Sequence, residues 1–80
     1  MSENSLKLYK LLAEILKVDI KKINEKTSPE NTESWDSFNG LMIVAEAEKQ
    51  FGISFSIDEV IGIKNVGDLI KSLGKRGIKI

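Results

Sequence analysis

From Asp36 onward the sequence divides itself into helices. Asp36 stands where an N-cap is wanted, and Gly52 follows the helix-compatible run Ser37 to Phe51, placed to end it in a left-handed conformation. Ser56 and Glu59 then have capping-box spacing ahead of Val60 and Ile61, and Gly62 is the stop. Asn65 and Asp68 repeat that logic before Val66, Leu69, Ile70 and Leu73, with Gly74 as the end. Three helices in quick succession leave little for strand pairing. The one short alternation, FGISFSI, straddles the break between two of them.

Upstream, Leu8, Leu12 and Ile15 recur at helical spacing with Leu11 and Leu16 beside them, and nothing between Leu6 and Lys17 breaks a helix. Periodicity then weakens from Val18 to Trp35, and the single proline, Pro29, sits in the polar stretch KTSPENTES. A loop of that length in a small domain needs anchors, for which Val18, Ile20, Ile23 and Trp35 are the apolar side chains on offer. The expected fold class is all-α: four helices, the third of them short, with a long first connection. The 80 residues form a single domain with its core in about 6–73, and KRGIKI, residues 75–80, has no pattern and reads as a flexible tail.

An apolar fraction of 41% with 30% charged residues is ordinary for a globular chain and argues against disorder. There is no cysteine and no histidine. A disulfide framework and a thiolate zinc site are thereby excluded, the commonest general base and metal ligand is missing, and no metal site is expected. The chain therefore reads as something other than an enzyme. The longest apolar run, Leu41 to Ala45, is far too short to span a membrane, and the N-terminus lacks the apolar core of a secretory signal, so a cytoplasmic location without membrane insertion is expected. The net charge of zero conceals a polarity of −6 over residues 30–59 against +2 before and +4 after them. Such a surface steers charged partners.

At roughly 100° per residue, the helix from Ser37 to Phe51 separates its apolar side chains into two groups. Ile43, Val44, Ala47 and Phe51, with Gly40 among them, make an ordinary buried stripe. Phe38, Leu41 and Ala45 form a second arc, with Met42 just beyond. A central helix covered on two sides would show such an arc, and so would a docking strip with charge at its rim, here Asp36 and Glu48. The docking reading expects Phe38 and Leu41 to be largely exposed. Phe55, beside the SIDE turn, is grouped with the same partner-binding face.

Ser37 on its own is an unremarkable helix-start serine. Its surroundings are more telling: DS followed by a large apolar residue, a helix ending in phenylalanine, then SIDE, and upstream LKVDIKKI at a fitting distance. This stretch resembles the acyl carrier protein family, from about Leu6 to Leu73 without a gap. The resemblance implies a four-helix bundle of acyl-carrier type with a covalent phosphopantetheine arm on Ser37, derived from coenzyme A, whose thiol holds acyl or aminoacyl groups as thioesters. It also makes sense of the missing cysteine, because the reactive sulfur belongs to the cofactor. Asp36 is then expected to cap the helix and to meet the modifying enzyme; a neighbouring carboxylate would not lower the hydroxyl's pKa. The implied partners are a phosphopantetheinyl transferase and the acyl-loading and acyl-using enzymes of a fatty acid, lipid, polyketide or other specialised pathway, met by a monomer.

The sequence departs from the family where typical members are strongly acidic. Asn39 and Met42 stand at positions of the usual carboxylate face, and Lys49 reverses another, leaving Asp36, Glu46 and Glu48. Docking with more apolar contact and less salt sensitivity is expected. Phe38 replaces the usual leucine, and WDS resembles carriers of specialised pathways. Trp35 is also expected to pin the long loop. The competing function is an unmodified helical interaction module using the Phe38, Leu41 and Ala45 arc. Nucleic acid is not an expected partner, because the best-formed helix lies in the acidic third.

Overall fold

The computed structural model describes residues 2–80. In it, α1 spans Glu3–Leu16, α2 Ser37–Phe51, α3 Ile57–Gly62 and α4 Val66–Gly74, with one turn of 3-10 helix at Ile20–Lys22 and no strand among the described residues. The all-α expectation of four helices holds. α1 begins before Leu6, because the Ser2 hydroxyl accepts from the Ser5 N–H and Glu3 adds a favourable charge in the first turn. Lys17 ends it in the left-handed region at φ 56°.

Each N-cap read in the sequence is made, but the box at Asn65 is only half made, because Asp68 accepts from the Lys64 N–H and not from Asn65, and α3 is capped at Ile63, just past Gly62. Asp36 accepts from the Asn39 N–H at 2.8 Å, Asn65 from Asp68 at 2.7 Å, and Ser56 and Glu59 form the complete capping box. Gly52 closes α2 at φ 65°, a conformation that L side chains disfavour.

The core is built from one stripe of each long helix. Leu8, Leu12 and Leu16 of α1, Ile43 and Ala47 of α2, and Val66, Leu69 and Leu73 of α4 are almost wholly buried. Leu16, not Ile15, completes the stripe of α1; Ile15 is half-buried at the margin of the core. Of the four anchors expected in the long loop, Ile23 and Trp35 are buried, whereas Val18 and Ile20 are only half-buried. The loop has a second attachment that the sequence did not reveal. Its Thr27 and Glu25 carbonyls accept from the Val66 and Gly67 N–H groups, two of the donors that the start of α4 leaves without helical partners. The long connection thus caps a helix far from it in sequence.

Residues 75–80 differ from the expected flexible tail. Ile78 and Ile80 pack against the core, the Ser5 hydroxyl donates to a backbone oxygen of Ile80 at 3.0 Å, and the Asn4 amide donates to the Lys79 carbonyl at 3.2 Å. Two half-buried isoleucines on a short segment return apolar surface to the bundle, which favours the packed position. Their alternation carries no helical period, so the pattern gave no sign of it.

Candidate functional site at the start of α2

Ser37 is the first residue of α2 and is exposed, one position past the capping Asp36. Since Asp36 takes the Asn39 N–H, the N–H groups of Ser37 and Phe38 have no intrahelical acceptor, and the positive end of the helix dipole is open there. Asp36 is itself exposed, and its carboxylate is occupied by capping.

Beside Ser37 lies a groove of about 450 Å³ walled by Trp35, Leu41, Ile43 and Val44 on one side and by Val60 and Ile63 on the other. Gly40 and Pro29 complete it. The Trp35 indole fills the space that Gly40 leaves, coming within 3.3 Å of where a Cβ would stand. The neighbour that approaches this glycine is therefore the tryptophan, and Trp35 both pins the loop and floors the groove. A larger hollow of about 840 Å³ opens around Leu16, Val18 and Ile23, but Ser37 is not among its walls.

The second arc of α2 is bare. Phe38 is 70% exposed, Leu41 62% and Met42 39%, and Ala45 is exposed with them. Two residues that the sequence reading did not assign to a partner surface, Ile57 and Ile61 on α3, are bare as well, at 78% and 70%. Their spacing of four on a short helix was a usable signal, lost because so short an element gives no clear periodicity. Five of the six large apolar side chains exposed among the described residues thus lie on the two helices flanking Ser37.

Glu48 and Phe55 belong to a different feature. The Glu48 carboxylate accepts from the Phe55 N–H at 2.8 Å, and Phe55 is half-buried beneath the Arg76 guanidinium, 5.0 Å from its ring. Both brace the turn between α2 and α3. Asn39 is occupied as well: its amide donates to the Ser34 carbonyl at 2.8 Å, tying the loop to the first turn of α2. Elsewhere, Arg76 holds the Glu59 carboxyl at about 2, well below its ordinary 4.5, chiefly by donating hydrogen bonds to it, with the Ser56 N–H adding to the effect.

The family described as "Phosphopantetheine attachment site" matches residues 6–73, most of the chain and the same span as the resemblance read from its motifs. The chain belongs to this family. Its cofactor is the covalently attached phosphopantetheine group of these carrier domains. Among solved structures, a candidate acyl carrier protein from Mycobacterium tuberculosis superposes with a TM-score of 0.81 over 91% of this chain and 97% of its own, at 23% identity. That likeness establishes the acyl carrier protein fold for this member of the family.

The residues present suit the family's prosthetic group. An exposed hydroxyl at a helix start can take a phosphodiester, whose charge the free N–H groups and the dipole favour by roughly 0.3 to 1 kcal/mol. The apolar groove next to it gives a chain of methylenes somewhere to lie. No helix among the described residues is long and apolar enough to cross a membrane.

Proposed function

We propose that Ser37 is the attachment point and that the protein is a discrete carrier of acyl or aminoacyl groups, without catalysis of its own. The observation that carries this reading is the coincidence at one place of an exposed serine, a helix N-terminus and an apolar groove. When bound, the phosphopantetheine group supplies the thiol on which cargo is held as a thioester, chemistry that a chain without cysteine cannot supply. The protein's own residues do the rest. Ser37 offers its oxygen, the N–H groups of Ser37 and Phe38 face the anion, and Trp35, Ile43 and Val44 keep water from the groove.

The bare arc Phe38, Leu41, Met42 and Ala45, widened by Ile57 and Ile61, is the surface by which the phosphopantetheinyl transferase and the acyl-loading and acyl-using enzymes hold the carrier. Of the three carboxylates left on α2, Asp36 caps the helix and Glu48 bonds to Phe55, which leaves Glu46, so charge is a smaller part of this face than apolar area. Its partners accordingly bring apolar docking surfaces of their own.

Incubation with coenzyme A and a phosphopantetheinyl transferase, followed by mass spectrometry, tests the assignment. Addition of one arm to the wild type and none to Ser37→Ala is expected. Absence of addition with every transferase tried would leave an unmodified interaction module that uses the same exposed arc.

A further inference from the structure

Of the walls around the groove, α3 is the least anchored. None of its six residues is buried, and Ile57 and Ile61 are turned to solvent. Only half-buried Val60, with Ile63 just after the helix, contributes to the groove. Isolated helices shorter than about 12 residues are marginal in water, so a six-residue helix without a buried face is held by something outside itself.

Phe55 and Ile63 pack against the core on either side of it, and Arg76 adds a set of polar ties. Its Nη1 donates to Glu59 Oε2 at 2.7 Å and to the Ser72 carbonyl at 3.0 Å; its Nη2 donates to Glu59 Oε1 at 2.6 Å and to the Ser54 carbonyl at 2.8 Å. The same guanidinium lies over the Phe55 ring. One side chain therefore joins the end of α4, the turn before α3 and the first turn of α3. Glu59 Oε1 also accepts from the Ser56 N–H at 3.0 Å, so the clamp and the helix cap share an oxygen. A planar fork with five donors can make all these bonds together, whereas an ammonium cannot.

We propose that Arg76 is a positioning residue that fixes α3 as the closing wall of the groove and thereby sets how well an apolar acyl cargo carried from Ser37 is sheltered. This rests on the assignment of Ser37 as the attachment point. With the clamp made, Val60 and Ile63 stay opposite Ile43 and Val44. With it broken, α3 opens as a local unit, because segments with few buried contacts unfold at little free energy while the core persists. The other helices are anchored by Leu12, Ile43 and Leu69, none of which touches the clamp's function.

Amide hydrogen exchange on the unmodified protein tests the clamp independently of any arm. In Arg76→Gln, exchange at Val60, Ile61 and Ile63 should quicken roughly tenfold while amides of α1 and α4 keep their rates, and Arg76→Lys should fall between. Glu59→Gln preserves the capping box but removes the ion pair, and carries the same test should Arg76→Gln not fold. A second readout uses protein bearing an octanoyl thioester. Hydroxylamine should cleave it severalfold faster in Arg76→Gln than in the wild type, by loss of sheltering. Unchanged exchange at α3, or an equal rise in every helix, would overturn the clamp and leave Ser37 untouched. Failure of arm attachment with α3 exchange still quickened would sink the Ser37 assignment instead.

Discussion

The Trp35 indole occupies the place of a side chain at position 40, with Nε1 3.3 Å and Cδ1 3.7 Å from where a Gly40 Cβ would stand. Trp35 is buried at 6% exposure, so it has little freedom to withdraw. The tryptophan that ends the long loop and the glycine one turn into α2 are thus fitted to each other. Their contact sets the floor of the groove beside Ser37.

Gly40→Ala therefore sets two effects against each other. Helix propensity favours alanine by about 1 kcal/mol, while the Trp35 ring must move by a few tenths of an ångström in a packed site. Net destabilisation is expected in the wild type, with a shift in the emission of the only tryptophan. In a Trp35→Phe background the same substitution should become neutral or stabilising. Denaturant melts of the four proteins in that cycle measure the coupling, and additive effects would show that the contact is not the reason for the glycine.

Substitution of the exposed arc should separate stability from partner use. Phe38→Ala and Leu41→Ala remove side chains that are 70% and 62% exposed, so unfolding free energy should stay within about 0.5 kcal/mol of the wild type. The KM of a partner enzyme for the carrier should rise by roughly tenfold for either change, as for a residue worth more than about 1 kcal/mol at an interface. Raising salt from about 0.1 to 1 M, which shortens the Debye length from about 10 to 3 Å, should alter that KM little. A steep salt dependence would show that charge, not apolar area, holds the partner.

The start of α4 offers a test of the long loop. At Gly67 a Cβ would stand 3.3 Å from the Glu25 carbonyl and 3.2 Å from Asn65 Oδ1, and the Gly67 N–H already donates to that carbonyl at 2.9 Å. Gly67→Ala should destabilise by about 1 to 3 kcal/mol, less any gain in propensity. Gly74→Ala, at the end of the same helix with nothing within 4 Å of the added carbon, should be neutral or stabilising. Thermal melts of the pair check the contrast; equal effects would mean that the loop yields freely.

How much of this was readable beforehand follows from what each contact depends on. The caps at Asp36, Ser56 and Asn65 join residues three apart, so the sequence displays them directly. The stripe and bare arc of α2 follow from helical geometry, which places Phe38 and Leu41 away from Ile43 and Ala47. Contacts between distant residues leave no such trace. Arg76 and Glu59 are seventeen positions apart, Ser5 and Ile80 seventy-five, and only the packed bundle brings them together. Gly40 was visible as a helix-weakening residue, but its partner Trp35 was not. The expectation for Ser37 rested on the residues around it, not on its own chemistry.

Acid should act on α3 before it acts on the core. Glu59 is held at about 2 in the folded protein, against an ordinary 4.5, because its charged form accepts hydrogen bonds from Arg76 and from the Ser56 N–H. A lowered folded value means that the unfolded state binds the proton more readily. The stabilisation is therefore fully present above pH 4.5 and is lost progressively as pH falls towards 2. Protonation of Glu59 breaks the ion pair and weakens the cap together, so exchange at Val60 and Ile63 should rise within that window once corrected for the intrinsic pH dependence of exchange. In Glu59→Gln that rise should be absent and α3 should already be loose at neutral pH, while in Arg76→Gln the Glu59 carboxyl should titrate closer to 4.5. Carbon-detected NMR of the side-chain carboxyl follows both proteins through the range. A wild-type Glu59 titrating at its ordinary value would show that Arg76 does not hold it in solution.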